Sequence, residues 1–263
     1  MIRYLKLYRE ILKYNFSQNL QFRSDFWISF FSRIAWFVML IFFFSVIYTN
    51  TATINGWNYY QMLLLFSVFH FIETILFTLF VRNFSEMNSY ISEGDLDFIL
   101  LKPVDPQFLV SLRYFSVTSA FNLVAPVILF VIAFRHLGLH LALSQIALFS
   151  LALMASLVIL YSLWFLTVIT LFWLTKIFEI QEIFLSLFGF MRYPATIYQG
   201  PVRYFFSFLF PIILTVTVPA QIFLDTLETP YQILWLPLAA ILTFAVSRGV
   251  WRLGLRRYSS ASS

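Results

Sequence analysis

The sequence predicts an all-α polytopic membrane protein with six transmembrane helices, and three observations carry that reading. Of its 263 residues 61% are hydrophobic and 11% charged, with a mean hydropathy of +0.84, whereas a soluble domain carries about a quarter charged residues. Apolar stretches of membrane-crossing length alternate with polar or proline-marked breaks, and the basic residues gather on one side of the resulting topology. The lack of cysteine removes disulfide frameworks, thiolate metal sites and thiol nucleophiles. The three histidines, His70, His136 and His140, are too scattered to suggest a metal centre. The net charge of +5 is read as a topological signal, with no nucleic-acid partner expected.

In order, residues 1–22 form an amphipathic helix, with Arg3, Lys6, Glu10 and Lys13 on one face and Tyr4, Leu5, Tyr8, Ile11 and Leu12 roughly opposite. The pattern suits a helix lying in the membrane interface; a water-exposed helix packed on protein is the alternative. It also lacks the uninterrupted apolar core of a signal peptide. Spans follow at 26–48, where Arg33 can snorkel, and at 60–81. A polar island at 82–106 comes next. Asp105 then caps a helix with Pro106 at its first position, which continues past Arg113 into a third span at 109–134. The fourth, 141–174, is long enough to be tilted or to protrude.

Lys176 marks the return to the first side, and a shorter fifth span, 177–191, carries Glu179 and Glu182 near that lysine. Residues 192–230, broken by Pro194, Gly200-Pro201 and Pro211, suit a re-entrant or interfacial hairpin that yields short extracytoplasmic helices. Thr229-Pro230 opens the last span, 231–250, before a basic tail. The positive-inside bias places both termini, the island and the tail in the cytoplasm, leaving Arg135, Arg192 and Arg203 outside. Two Asn-Phe-Ser triplets, at Asn15 and Asn83, then fall on the cytoplasmic side and are not glycosylation sites. Trp57, Tyr59 and Tyr60 read as an outer aromatic belt, Trp251 and Tyr258 as an inner one.

No phosphate-binding loop, His-Glu-x-x-His or Gly-x-Ser-x-Gly is present, so no catalytic, cofactor or metal site is expected on this chain. Glu73 lies in the middle of the second span, with His70 three residues earlier on the same face. An ionisable group at that depth marks a substrate contact or proton relay, or else a hydrogen-bonded pair that fixes packing.

Four of the twelve acidic residues fall at 93–105. There Gly94 permits a break, Asp95 can cap a short helix at 96–101, and Pro103 ends it. Such a helix presents Phe98, Ile99 and Leu101 as an apolar knob flanked by Asp95, Asp97 and Lys102. A solvated connector would not need four consecutive apolar residues at 98–101, which favours a docking element.

The run Gly94-Asp95-Leu96-Asp97-Phe98-Ile99-Leu100-Leu101-Lys102-Pro103 after the second span resembles the signature of ABC-2 type transporter permeases. The proline-marked 193–221 segment and the Arg257-Tyr258-Ser259-Ser260 ending are similar to one bacterial branch of that family, largely of unassigned substrate. The resemblance covers nearly the whole chain. It implies a permease subunit of an ATP-driven exporter in the bacterial cytoplasmic membrane, moving a hydrophobic or amphipathic substrate. It implies two soluble ABC ATPase subunits that bind ATP and Mg, and a second permease, identical or homologous. Residues 94–103 would be the coupling helix, with the N-terminal helix on the inner leaflet beside it. From a different class, an ion- or proton-coupled secondary transporter would use His70 and Glu73; the absence of an internal repeat counts against it. A membrane-embedded enzyme or scaffold is disfavoured by the lack of clustered catalytic residues.

Overall fold

The computed structural model describes residues 2–19, 23–139, 142–174 and 178–258. The end of the 1–22 helix, the start of the 141–174 span, Lys176, Ile177 and the serines of the tail lie outside the described residues, as does the Glu179 side chain. In chain order the α-helices are α1 (Ile2–Asn19), α2 (Arg23–Asn50), α3 (Tyr59–Leu76), α4 (Arg82–Ser85), α5 (Met87–Ser92), α6 (Leu96–Leu100), α7 (Pro106–Leu112), α8 (Val117–Phe121), α9 (Val124–Leu137), α10 (Leu143–Ile169), α11 (Phe178–Leu187), α12 (Gly200–Tyr204), α13 (Leu214–Leu224) and α14 (Tyr231–Arg257). Among the described residues the only β pairing is an isolated bridge between Ile54 and Trp57.

Five helical runs are long and apolar enough to cross a membrane: Phe31–Asn50, Tyr59–Ser92, Val117–Leu137, Leu143–Phe172 and Tyr231–Arg257. Their burial differs sharply. Within its most apolar 18 residues the Tyr59–Ser92 run is 67% buried and forms the central post, whereas the same stretch of Phe31–Asn50 is 11% buried and stands at the rim. α3 packs on α9 and α13, and α10 packs on α13 and α14. At 30 residues the α10 run is about 45 Å long, more than a bilayer core requires, so it must tilt or protrude. At Gly254, α14 approaches so closely that a Cβ would lie 2.3 Å from the Phe172 ring.

The third span departs from expectation. α7 does not continue into it: the helix stops at Leu112, and the crossing run begins at Val117. Ser116 starts the new helix, its hydroxyl accepting from the Ser119 amide at 3.2 Å. A second interruption between α8 and α9 falls one turn before Pro126, which cannot complete the helical ladder.

The fifth segment is short, as its expected bounds of 177–191 imply. α11 and the 3-10 turn Phe188–Arg192 that follows it do not reach crossing length. The next region contains a helix pair, Gly200–Leu209 and Leu214–Leu224, bent by 90°. That is the broken segment expected from its prolines. Its second arm, residues 214–223, is entirely buried.

Two aromatic assignments fail. Trp57 is buried in the turn before α3, where its carbonyl accepts from the Tyr48 hydroxyl at 2.9 Å. Trp251 is buried against Phe165 and Phe172. Neither sits in a surface belt.

Candidate functional site

The island forms one end of the bundle, and its helix is two-faced. Gly94, at φ 82°, takes the left-handed conformation that breaks the chain after α5. In α6, Leu96 and Ile99 are three residues apart and buried at 0% and 2% exposure, so they anchor the helix in the core. Phe98, Leu100 and Leu101 point outward at 67%, 37% and 81% exposure. The knob is therefore Phe98, Leu100 and Leu101, and Ile99 belongs to its root. Asp95, Lys102 and Pro103 are exposed around it and Asp97 is half-buried. Asp95 makes no capping bond: its backbone is helical (φ −64°, ψ −17°), not the extended form that turns a carboxylate back on the helix. The Asp97 amide instead donates to the Gly94 carbonyl at 3.1 Å.

The flank of the knob is held by side chains from three distant elements. Arg3 of α1 donates to the Pro103 carbonyl at 2.9 Å, and the Asp105 amide donates to the Tyr4 hydroxyl at 3.1 Å. Tyr4 also meets Phe108 edge-on, with ring centres 5.0 Å apart. Further along, the Asn15 amide donates to the Arg113 carbonyl at 3.0 Å. α1 thus packs on protein along α7 with Leu7, Tyr8 and Ile11 half-buried, while Leu5 and Phe16 stay exposed.

Asn83 grips the same break from the other side. Its side chain donates to the Tyr114 carbonyl at 2.8 Å and accepts from the Tyr114 amide at 2.9 Å. The Ser116 amide donates to Thr78, in the π-helical turn Phe77–Val81, at 3.0 Å. The two Asn-Phe-Ser triplets therefore place their asparagines, both buried, on consecutive peptide groups of the α7–α8 break. This grip is why the third span starts late.

The last helix completes the clasp. Asp105 caps α7 as expected, accepting from the Phe108 amide at 3.1 Å. It also forms a two-point ion pair with Arg248 of α14, with Nη1 to Oδ1 at 2.9 Å and Nη2 to Oδ2. Arg248 Nη1 donates to Gln107 at 2.8 Å, Gln107 donates to the Tyr161 hydroxyl at 3.1 Å, and Tyr161 meets Ser111 at 2.8 Å. Hydrogen bonding from Arg248 and then from the Phe108 amide, against the opposing effect of burial, holds the Asp105 carboxyl below the usual carboxylate range. Just past α14, burial and the nearby Asp97 and Asp95 push the Tyr258 phenol up.

Above this network lies a cavity of about 700 Å³. Its foot is polar (Asp105, Gln107, Ser111, Tyr161, Arg248), and its walls are apolar, from Ile75 and Leu79 to Met154, Val158 and Phe244.

His70 and Glu73 are brought together, Nδ1 to Oε2 at 2.8 Å, within one helix. Their side chains are 3% and 14% exposed, and Phe37, Phe66 and Phe69 close around the imidazole, whose Nε2 has no partner. Among the described residues no cluster of three or more His, Asp or Glu could hold a metal ion.

Sequence reasoning missed Arg248, Gln107, Tyr161, Ser111, Asn15 and Asn83 as parts of one site. A partial signal was available: Gln107 and Ser111 are one turn apart in an otherwise apolar α7, next to Asp105.

The fold and site together define a multi-pass α-helical membrane protein with a rooted apolar knob at one end. The family model for ABC-2 family transporter proteins matches residues 34–262, and the chain belongs to that family. It is accordingly a membrane-embedded component of an ABC transporter. No curated protein matches the sequence.

Proposed function

We propose that this chain is the permease subunit of an ATP-driven exporter in the bacterial cytoplasmic membrane, with both termini cytoplasmic and 94–103 as its coupling element. The observation that carries this reading is α6: two buried leucine and isoleucine anchors hold three outward apolar side chains at the tip of the bundle. A knob of this kind, rimmed by Asp95 and Lys102, suits insertion into a groove of a soluble ATPase. Two such subunits, which bind ATP and Mg, would serve a permease pair made with a second chain, identical or homologous. Closure of the ATPases on nucleotide moves the two knobs, and a two-state permease pair shifts from inward-open to outward-open. The cargo class is hydrophobic or amphipathic. The fifth segment and the bent pair after it complete the sixth crossing and an outer re-entrant gate.

Replacing Phe98 and Leu101 together by Asp leaves α6 rooted by Leu96 and Ile99 and removes the knob. The expected result is a chain that still inserts in the membrane but no longer co-purifies with its ATPase or stimulates ATP hydrolysis with substrate. Undiminished recovery and coupling in that double variant would refute the docking role. The alternative, an ion-coupled carrier working through His70 and Glu73, has weaker support because aromatic packing closes around the pair. Flux driven by a pH gradient without ATP would favour it.

A further inference from the structure

We propose that the cavity between α3, α7, α10 and α14 is a binding site for an amphiphile whose headgroup is neutral or zwitterionic. Calling that amphiphile the cargo rests on the exporter reading; its binding does not. The shape sets the first requirement. The polar foot and apolar walls are segregated, and from Tyr161 up to Met154 the α10 wall rises two turns, about 10 Å. At about 700 Å³ the space is ample for a headgroup with the first part of a chain. Met154 is 60% exposed, so the cavity opens sideways along α10, the direction from which a lipid-dissolved molecule arrives.

Charge at the foot sets the second requirement. Arg248 and Asp105 neutralise each other through two contacts, and both line the cavity with side chains about one-third exposed, at 30% and 29%. A guanidinium has five N–H donors, and three of those on Arg248 are engaged. The carboxylate's roughly four acceptor sites are taken by Arg248 twice and by the Phe108 and Gln107 amides, whereas the Gln107 side-chain oxygen, which also lines the foot, accepts once and keeps a second lone pair. The foot therefore still offers donors and an acceptor side by side at zero net charge. A headgroup carrying both kinds of partner is complementary to it. A purely anionic head gains at Arg248 what it loses at Asp105, although the chain as a whole carries +5.

The test uses the full chain in bilayers without nucleotide and two photoreactive single-chain lipids, matched in chain, with phosphocholine or phosphoglycerol heads. The phosphocholine probe should label the peptides around Met154, Val158 and Ile75 saturably, about tenfold more than the anionic probe. Filling the slot with Val158→Trp should reduce that labelling about tenfold. Asp105→Asn leaves Arg248 uncompensated and should reverse the preference toward the anionic probe, which decides the matter even where Val158→Trp does not accumulate. Equal labelling by the two heads, label spread evenly over lipid-facing helices, or label lost because a second copy covers Met154 would each overturn the site. Labelling is read without ATP, so its failure leaves the ATPase-coupling experiment unaffected. Binding without export contradicts only the exporter reading.

Discussion

The two ends of the bundle both contain broken helices, and they stabilise the breaks by different means. At the island end, the exposed peptide groups at Arg113, Tyr114 and Ser116 are taken up by Asn15, Asn83 and the π-turn carbonyl of Thr78, and the Asp105–Arg248 pair ties the adjoining helix to α14. At the far end, the 90° bent pair combines complete apolar burial of 214–223 with polar clips around it: the Arg203–Glu228 ion pair, the Ala195 amide to Thr217 at 3.0 Å, the Tyr198 hydroxyl to the Phe190 carbonyl at 2.8 Å and Trp235 to Ser207 at 2.9 Å. Buried polar atoms without a partner occur at both ends, in Thr196, Gln221, Thr229 and Gln232 here and in Thr78 and Tyr258 at the island end. Directional bonds fix the geometry of the island end, and close packing of apolar side chains fixes the second arm at the far end by shape. On the proposed exporter reading this implies a division of labour: the island end, bonded to three distant elements, would move as a rigid lever, and rearrangement would fall at the far end.

The comparison breaks most readily at Asn83. Asn83→Ala removes a two-way grip and leaves the Tyr114 peptide unpaired, so a loss of about 2–3 kcal/mol is expected in equilibrium unfolding from bilayer-mimetic particles. Next in size is Arg248→Ala, which strands Asp105. Its cost is about 2 kcal/mol, below that of a fully buried pair because both side chains are about one-third exposed. That variant should also uncouple ATP hydrolysis from substrate while still binding the ATPase, since the knob remains. Thr217→Val at the far end leaves one buried donor, the Ala195 amide, unpaired, and should cost about 1 kcal/mol, less than the loss of donor and acceptor together at Asn83. If Thr217→Val proves as damaging as Asn83→Ala, the two ends are not different in kind.

The smallest expected effect is one of pH. The folded-state pKa of Asp105 lies below its ordinary value, so the pair contributes fully at neutral pH and is lost as pH falls through the lowered value. Unfolding of the wild type should therefore become easier below about pH 4, and Asp105→Asn should lack that part of the acid response.

Much of this was legible in local sequence. Gly94 and Pro103 bracket α6, Asp105-Pro106 opens α7, prolines mark the bent 192–230 region, and His70 meets Glu73 because three residues make one helical turn. What failed was long-range. Arg248 lies 143 residues from Asp105 and reads as one more tail arginine. Nothing in the order Phe98-Ile99-Leu100-Leu101 says that Ile99 faces inward, because that depends on where the core lies. The break at Ser116 lies among Arg113, Ser116, Thr118, Ser119 and Asn122, whose spread between apolar residues singles out no one position as a helix start. Trp57 and Trp251 match the general preference of tryptophan for interfaces, but a tight turn buries the first and the Phe165 and Phe172 rings bury the second.

The rigid-lever claim can be measured directly, since the chain has no cysteine to interfere with site-specific labels. Spin labels at Lys102→Cys and Leu253→Cys, both exposed, report the distance from the knob to α14; labels at Lys102→Cys and Leu209→Cys report the distance from the knob to the bent pair. In the complex with its ATPase, nucleotide should leave the first distance unchanged and shift the second. A first distance that changes while the second holds would contradict the account.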